Sequence, residues 1–167
     1  MTKHFFLIII LFGGFISCKK DIQKLDEDDE SFKFTFKYPD TVYVGESHYC
    51  EVLYFSDLDT ITTSFDDEIY KRYVYMCMKR TKNINYDFET LKNSVLDTLG
   101  ALNNREIPIG EIEFSEAGIH YLDGYVVDEV IFTAPIEGKY DNNGEPLYRY
   151  ITEENRITKK VVVIDKE

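Results

Sequence analysis

The sequence predicts an all-β fold built mainly of antiparallel strands, and three observations predict it. Strand-forming side chains dominate: 13 Tyr and 12 Phe, four of the Phe close to the start, with many Val and Ile. Short apolar runs alternate with turn residues, as in sandwiches and barrels. Inside several runs the apolar residues recur at every second position, as a half-buried sheet requires.

The chain begins with a segment that does not belong to that fold. Lys3 is followed by a 12-residue, mostly apolar run from Phe5 to Ile16, interrupted only by Gly13-Gly14, and then by the small residue Ser17. A positive residue, a short apolar stretch and a small residue before the cut make a secretory signal. The run falls short of the roughly 20 residues that a spanning helix needs. Phe15-Ile16-Ser17-Cys18 resembles the lipobox of bacterial lipoproteins, with Phe15 where Leu is usual. Looser lipoboxes followed by Lys and an acidic residue, matched in part by Lys19-Lys20-Asp21, are similar to those of Bacteroidetes-type lipoproteins. The resemblance implies a signal peptide over residues 1–17 and lipidation of Cys18, which becomes the first mature residue. It implies anchorage in the outer membrane of the cell envelope, with Lys and acid after the cysteine favouring the cell surface.

Residues 18–30 follow as a linker. Asp26-Glu27-Asp28-Asp29-Glu30 is a block of like charge, and such blocks stay solvated. The predicted role is an acidic spacer between lipid and domain. From Cys18 onward 31 acidic residues face 18 basic ones, a net charge of about −13. That balance argues against nucleic acid as a partner, which needs a basic footprint. It equally disfavours electrostatic binding to anionic lipid, so the attached lipid has to supply the anchorage.

The working part runs over residues 31–167. Strands are predicted from Phe32 to Tyr38, Thr41 to Val44, His48 to Phe55, Thr60 to Phe65 and Tyr70 to Lys79. Others run from Ile107 to Phe114, Ile119 to Phe132, Leu147 to Ile151 and Ile157 to Ile164. Pro39-Asp40 separates the first two and Gly45-Glu46 turns the chain into the third. Asp141-Asn142-Asn143-Gly144 is a hairpin signal, because Asn-Gly supplies positive φ. Phe88, Leu91, Val95 and Leu99 stand at helical spacing, so a helix is predicted from Asp87 to Leu99. In the strand after Gly118, Leu122, Gly124, Val126, Val130 and Phe132 share one face together with Asp128. A bulge, a strand end or a satisfied buried carboxylate explains that acid, and a bulge is the favoured explanation. Lys159 to Ile164 is apolar on both parities at its end, which predicts a strand paired on both sides.

Thr41-Val42-Tyr43-Val44-Gly45-Glu46 resembles the lead-in to a second strand of bacterial immunoglobulin-like domains. Gly118-Ile119-His120-Tyr121-Leu122-Asp123-Gly124-Tyr125-Val126 resembles the Gly-then-Tyr strand near the end of that fold. Tyr121 stands three places after Gly118 rather than two, the chain has no Trp, and the region is longer than the usual hundred or so residues. The resemblance implies an immunoglobulin-like antiparallel β-sandwich, with Arg80 to Glu106 as a partly helical insertion.

Residues able to carry chemistry are few. With Cys18 lipidated, Cys50 and Cys77 remain as an even pair in an exported protein, a candidate disulfide worth about 3.5 kcal/mol on the chain-entropy model. Two buried free thiols are the alternative. His48 and His120 are isolated, too few for a zinc site and more consistent with packed or exposed strand residues. Asp57, Asp59, Asp66-Asp67-Glu68, Asp141 and Glu145 lie in turns. Turn chemistry accounts for them at least as well as calcium does. Paired carboxylates also serve glycoside hydrolysis. No nucleophile elbow, zincin or P-loop pattern is present, and no cofactor is expected. Tyr70, Tyr73, Tyr75, Tyr121 and Tyr125 form a candidate binding patch for protein or glycan, set against simple packing across strands.

The expectation is therefore a lipid-anchored cell-envelope protein with a non-catalytic binding or structural role. The alternatives are a glycan-binding accessory or acidic-loop hydrolase, and a small subunit of an envelope assembly.

Overall fold

The computed structural model describes residues 32–166. The signal, Cys18 and the acidic spacer lie outside the described residues. Among the described residues eight strands form two sheets. The first holds β1 (Phe32–Lys37), β3 (Ser47–Ser56) and β6 (Glu106–Glu113) in the order β1-β3-β6, all antiparallel. The second holds β2 (Thr41–Tyr43), β4 (Tyr70–Thr81), β5 (Asp97–Gly100), β7 (Gly118–Tyr140) and β8 (Pro146–Ile164) in the order β2-β8-β7-β4-β5. Only β2 runs parallel to its neighbour, pairing Thr41 to Tyr43 with Val162 to Ile164.

The two sheets face one another across a single core. Cys50, Val52 and Tyr54 of β3 and Ile107 and Ile112 of β6 meet Val74, Met76 and Met78 of β4, Leu122 and Val126 of β7, and Ile157, Val161 and Val163 of β8. On β3, β4, β7 and β8 the residues of each set share one parity, so the period-two pattern of the sequence aims them inward. On β6 the register shift between Pro108 and Gly110 lets Ile107 and Ile112, of opposite parity, face the same core. β8 lies between β2 and β7, as its doubly apolar end predicts.

The turns follow their residues. Gly45, at φ +71°, closes a turn in which the Glu46 amide donates to Tyr43 O (3.1 Å). In the turn between β7 and β8, residues 141–145, only Gly144 has positive φ, at +85°. The Asp141 carboxylate accepts from the Asn143 and Glu145 amides, both at 2.8 Å. The hairpin is thus a type I turn closed by a left-handed glycine.

Four expectations are corrected. The stretch Thr60 to Phe65 is no strand: a 3-10 helix spans Asp57–Thr60, capped by the Ser56 hydroxyl accepting from the Leu58 amide (3.1 Å). The Thr62 hydroxyl then bonds the Ser64 backbone, competing with any ladder. The predicted helix Asp87 to Leu99 is only α1 (Phe88–Lys92), because Ser94 Oγ caps the Leu91 carbonyl (2.6 Å) and Asp97 to Gly100 pairs with β4. The strands Leu147 to Ile151 and Ile157 to Ile164 are one continuous β8. Finally, Asp128 sits in unbroken register opposite Val74, so it is a satisfied buried carboxylate and not a bulge.

Past Phe132 the strands β7 and β8 outrun β4, whose first residue Tyr70 pairs with Phe132. Residues 133–150 continue as a two-stranded arm joined by Pro135–Tyr148 and Tyr140–Pro146 pairs, with almost every side chain exposed.

Candidate functional site

The densest polar cluster lies inside the fold, at the end from which the arm projects. Arg72 sits on the inward parity of β4 with its side chain fully shielded from solvent. Its guanidinium grips Asp128 of β7 with two bonds, Nε to Oδ1 at 2.9 Å and Nη2 to Oδ2 at 2.5 Å. The remaining nitrogen donates to Asp59 Oδ1 (2.7 Å) and to the Thr62 carbonyl (2.5 Å). Asp59 also accepts from Arg105 and from Asn104 Nδ2 (3.1 Å). Burial pushes the Asp59 carboxyl up, yet its bonds to Asn104, Arg72 and Arg105 outweigh that and hold it below the usual range. The Tyr54 hydroxyl, fully buried, has no partner among the described residues, and burial with Asp128 close by pushes its ionisation far up.

Around this cluster Glu153 of β8 stands directly opposite Asp128 in the register and accepts from Ser56 Oγ (3.2 Å). Burial raises its carboxyl above the ordinary range, and Asp128 and Asp57 add to the effect. Chemically, the arrangement is a set of charges bound to one another. A fork-shaped guanidinium satisfied by two carboxylates fixes four chain segments in place.

A second cluster covers the outer face of the larger sheet. Asp123, fully buried, accepts from Tyr86 Oη (2.7 Å), Thr158 Oγ1 (2.6 Å) and Arg156 Nε and Nη2 (3.2 and 2.9 Å). Arg156 also donates to the Tyr86 carbonyl (2.9 Å), and Lys79 Nζ lies 4.3 Å from the centre of the Tyr86 ring. These bonds tie the loop before α1 onto β7 and β8. Leu91, fully buried, and Phe88, packed edge-on against Tyr125 at 5.5 Å, seat α1 beside them.

The tyrosines do not form one patch. Tyr70 points to the inward side of β4 and packs edge-on against Phe132 at 5.1 Å. Tyr73, Tyr75, Tyr121 and Tyr125 take the outward parity of β4 and β7. Within that set Tyr125 lies under α1 and Tyr75 is half-buried, so Tyr73 is the one clearly exposed ring, at 53%.

Cys50 and Cys77 are both free, which corrects the disulfide reading. Cys50 points into the core, and burial pushes its thiol up to about 12. Cys77 points to the other side of β4, 3.7 Å from Thr98 Oγ1. Opposite side-chain directions forbid the bond whatever the sequence spacing.

The histidines are separate. His120 is buried against Phe114 with Nε2 2.9 Å from Glu116 O, and His48 packs edge-on against Tyr38. The acidic turns are occupied by their own backbone: Asp67 accepts from the Ile69 and Tyr70 amides at 2.8 and 2.9 Å. Among the described residues no group of three or more His, Cys, Asp or Glu is placed to hold a metal ion. An open recess of about 370 Å³ lies between β4, β5 and β6, lined by Met78, Arg80, Asp97, Leu99, Ile109 and Glu111.

Sequence reasoning missed Arg72, Asp123 and Arg156, and it read Asp59 as a turn or calcium carboxylate and not as the partner of Arg72 and Arg105. One signal was present: Arg72 and Asp128 both occupy the apolar parity of their strands, and two misplaced opposite charges on neighbouring strands announce a buried pair. It also missed the arm. Comparison with protein-family models, with curated proteins and with solved structures gave no match.

Proposed function

We propose that this chain is a lipid-anchored cell-envelope protein whose immunoglobulin-like domain has a non-catalytic binding or structural role. The observation that carries the reading is the use made of the buried charges. Asp123 and Asp128 are each held by an arginine and join separate elements, which gives a rigid scaffold rather than a carboxylate poised to move a proton.

The strand layout supports the immunoglobulin-like part of the reading. If β1 to β8 are taken as A, A′, B, C, C′, E, F and G, the sheets are A-B-E and A′-G-F-C-C′. That grouping places B with E and C with F and G, as the immunoglobulin fold does. The segment after Thr81, carrying α1, takes the place of the insertion expected there.

The anchored part rests on Cys18 and its surroundings. A labelled fatty acid is expected to enter the full-length protein and to be lost in Cys18→Ala, with the protein moving from the membrane to the soluble fraction. Labelling that persists in Cys18→Ala overturns lipidation at this residue. Extraction in mild detergent followed by sizing then separates a subunit of an envelope assembly from a solitary monomer.

A further inference from the structure

We propose that the β7–β8 arm is a second membrane contact, a tyrosine-bearing wedge that rests in the interfacial layer of the bilayer beside the lipid anchor. The proposal builds on the anchored reading of Cys18.

The arm carries what such a contact needs. Ile136, Tyr140, Leu147 and Tyr148 are between 41% and 64% exposed, on a ribbon that no third strand accompanies among the described residues, and Tyr150, 68% exposed, stands at its base opposite Ile131. Tyrosine has an apolar ring and a polar tip and favours the headgroup level of a membrane. Residues 133–150 bear Glu137, Asp141 and Glu145 against Lys139 and Arg149, a net charge of −1 in a chain of −12. Of the whole acidic surface this is a part that an anionic bilayer repels little. The free backbone edges of the ribbon set the depth, since they need water or headgroups and cannot enter hydrocarbon.

The position of the arm favours a bilayer over a protein as its occupant. Phe32 pairs with Ser56, and the Ser56 hydroxyl bonds Glu153 just inside the base of the arm. The chain from the anchor therefore enters the fold at the same end from which the arm leaves it. Tyr43 paired with Ile164, and Gly45 bonded to Phe114 O, mark the opposite end. Lys19 to Ser31 spans at most about 45 Å at roughly 3.3–3.6 Å per residue. The arm has residues 133–140 on the β7 side and residues 146–150 on the β8 side, and its shorter side with the turn extends about 25 Å. The tether's reach exceeds the arm's length, so tip and anchor can meet one surface together.

The absence of Trp from the chain gives a direct test. Full-length lipidated protein carrying Tyr148→Trp, and separately Tyr140→Trp, is reconstituted into phosphatidylethanolamine–phosphatidylglycerol vesicles with lipids brominated near the headgroup end of the acyl chains. Ser115→Trp, exposed at the far end, is the control. The expected result is a blue-shifted emission, quenched by the brominated lipid, for both arm variants and not for the control. Protein that floats with the vesicles while the arm Trp stays red-shifted and unquenched overturns the lipid assignment and points to a protein occupant, leaving the anchor intact. Protein that fails to float overturns the anchored reading and this contact with it.

Discussion

Arg72 shows how much one side chain can decide. It lies where an apolar residue would complete the inward face of β4, and it is tolerated because Asp128, Asp59 and the Thr62 carbonyl satisfy its guanidinium. Removing one partner of a buried pair leaves a charge stranded, so Asp128→Ala is expected to cost about 3–5 kcal/mol, read from a lowered denaturant midpoint. Replacing both charges by apolar residues, Arg72→Met with Asp128→Leu, is expected to cost less than that single change, because Asp59 keeps Arg105 and Asn104. Glu153 makes the opposite point. Burial, with Asp128 and Asp57 beside it, raises its carboxyl, while Ser56 and Arg72 pull the other way. A raised carboxyl means that the folded chain holds the proton more tightly than the unfolded one. The penalty is therefore absent below the ordinary glutamate value of 4.5, grows as pH rises and is complete above the raised value. Glu153→Gln is expected to stabilise by a few tenths of a kcal/mol at neutral pH, screened by the solvent that still reaches it, and to have no effect in acid. Denaturant titrations at both pH values check this.

At the scale of elements, the lesson is how a polar run becomes a strand. Thr152-Glu153-Glu154-Asn155-Arg156 reads as a loop, yet it lies within β8 because partners wait across the ladder and on α1. Thr152 bonds Glu129 (3.0 Å), Arg156 bonds Asp123, and Glu154 bonds Lys92 (2.6 Å). Local propensity is weak beside such cross-strand and cross-element pairing. The same competition shortens α1. Leu99, counted at helical spacing, is half-buried on β5 opposite Met76, and Val95 is 95% exposed. The arm is the converse case, a paired element held to the rest of the fold mainly at its base, where Thr133 bonds the Glu68 and Ile69 carbonyls. Replacing residues 135–148 by a tight turn is expected to change stability by no more than about 1 kcal/mol, since none of them belongs to the core. A fall in denaturant midpoint beyond that would show that the arm supports the body of the fold.

For the whole molecule, most of the sheet architecture is legible in the sequence because alternation reports directly which face is buried. The Phe32 run, the His48 run, the Tyr70 run and the Ile107 run all appear as strands close to their predicted bounds, whereas the Ile119 run starts as predicted but continues beyond Phe132 to Tyr140. What is not legible depends on partners distant in sequence: Arg72 with Asp128, Asp123 with Arg156, and the opposed directions of Cys50 and Cys77. A single chain read in order cannot show which strands become neighbours, and so cannot show which charges are cancelled. Between Lys37 and Thr41 the chain leaves one sheet and joins the other: β1 binds β3, and β2 binds β8. A pull along the strands, applied between Phe32 at one end and Asp165 at the other, would strain both ladders lengthwise. In the antiparallel β1–β3 ladder the backbone bonds lie perpendicular to the strands, and in the parallel β2–β8 pair they are slanted and evenly spaced. In both they share the load together instead of opening one at a time. The handover at Tyr38 to Asp40 thus makes the first two strands a double clasp, which resists a lengthwise pull on the N-terminal end of the domain.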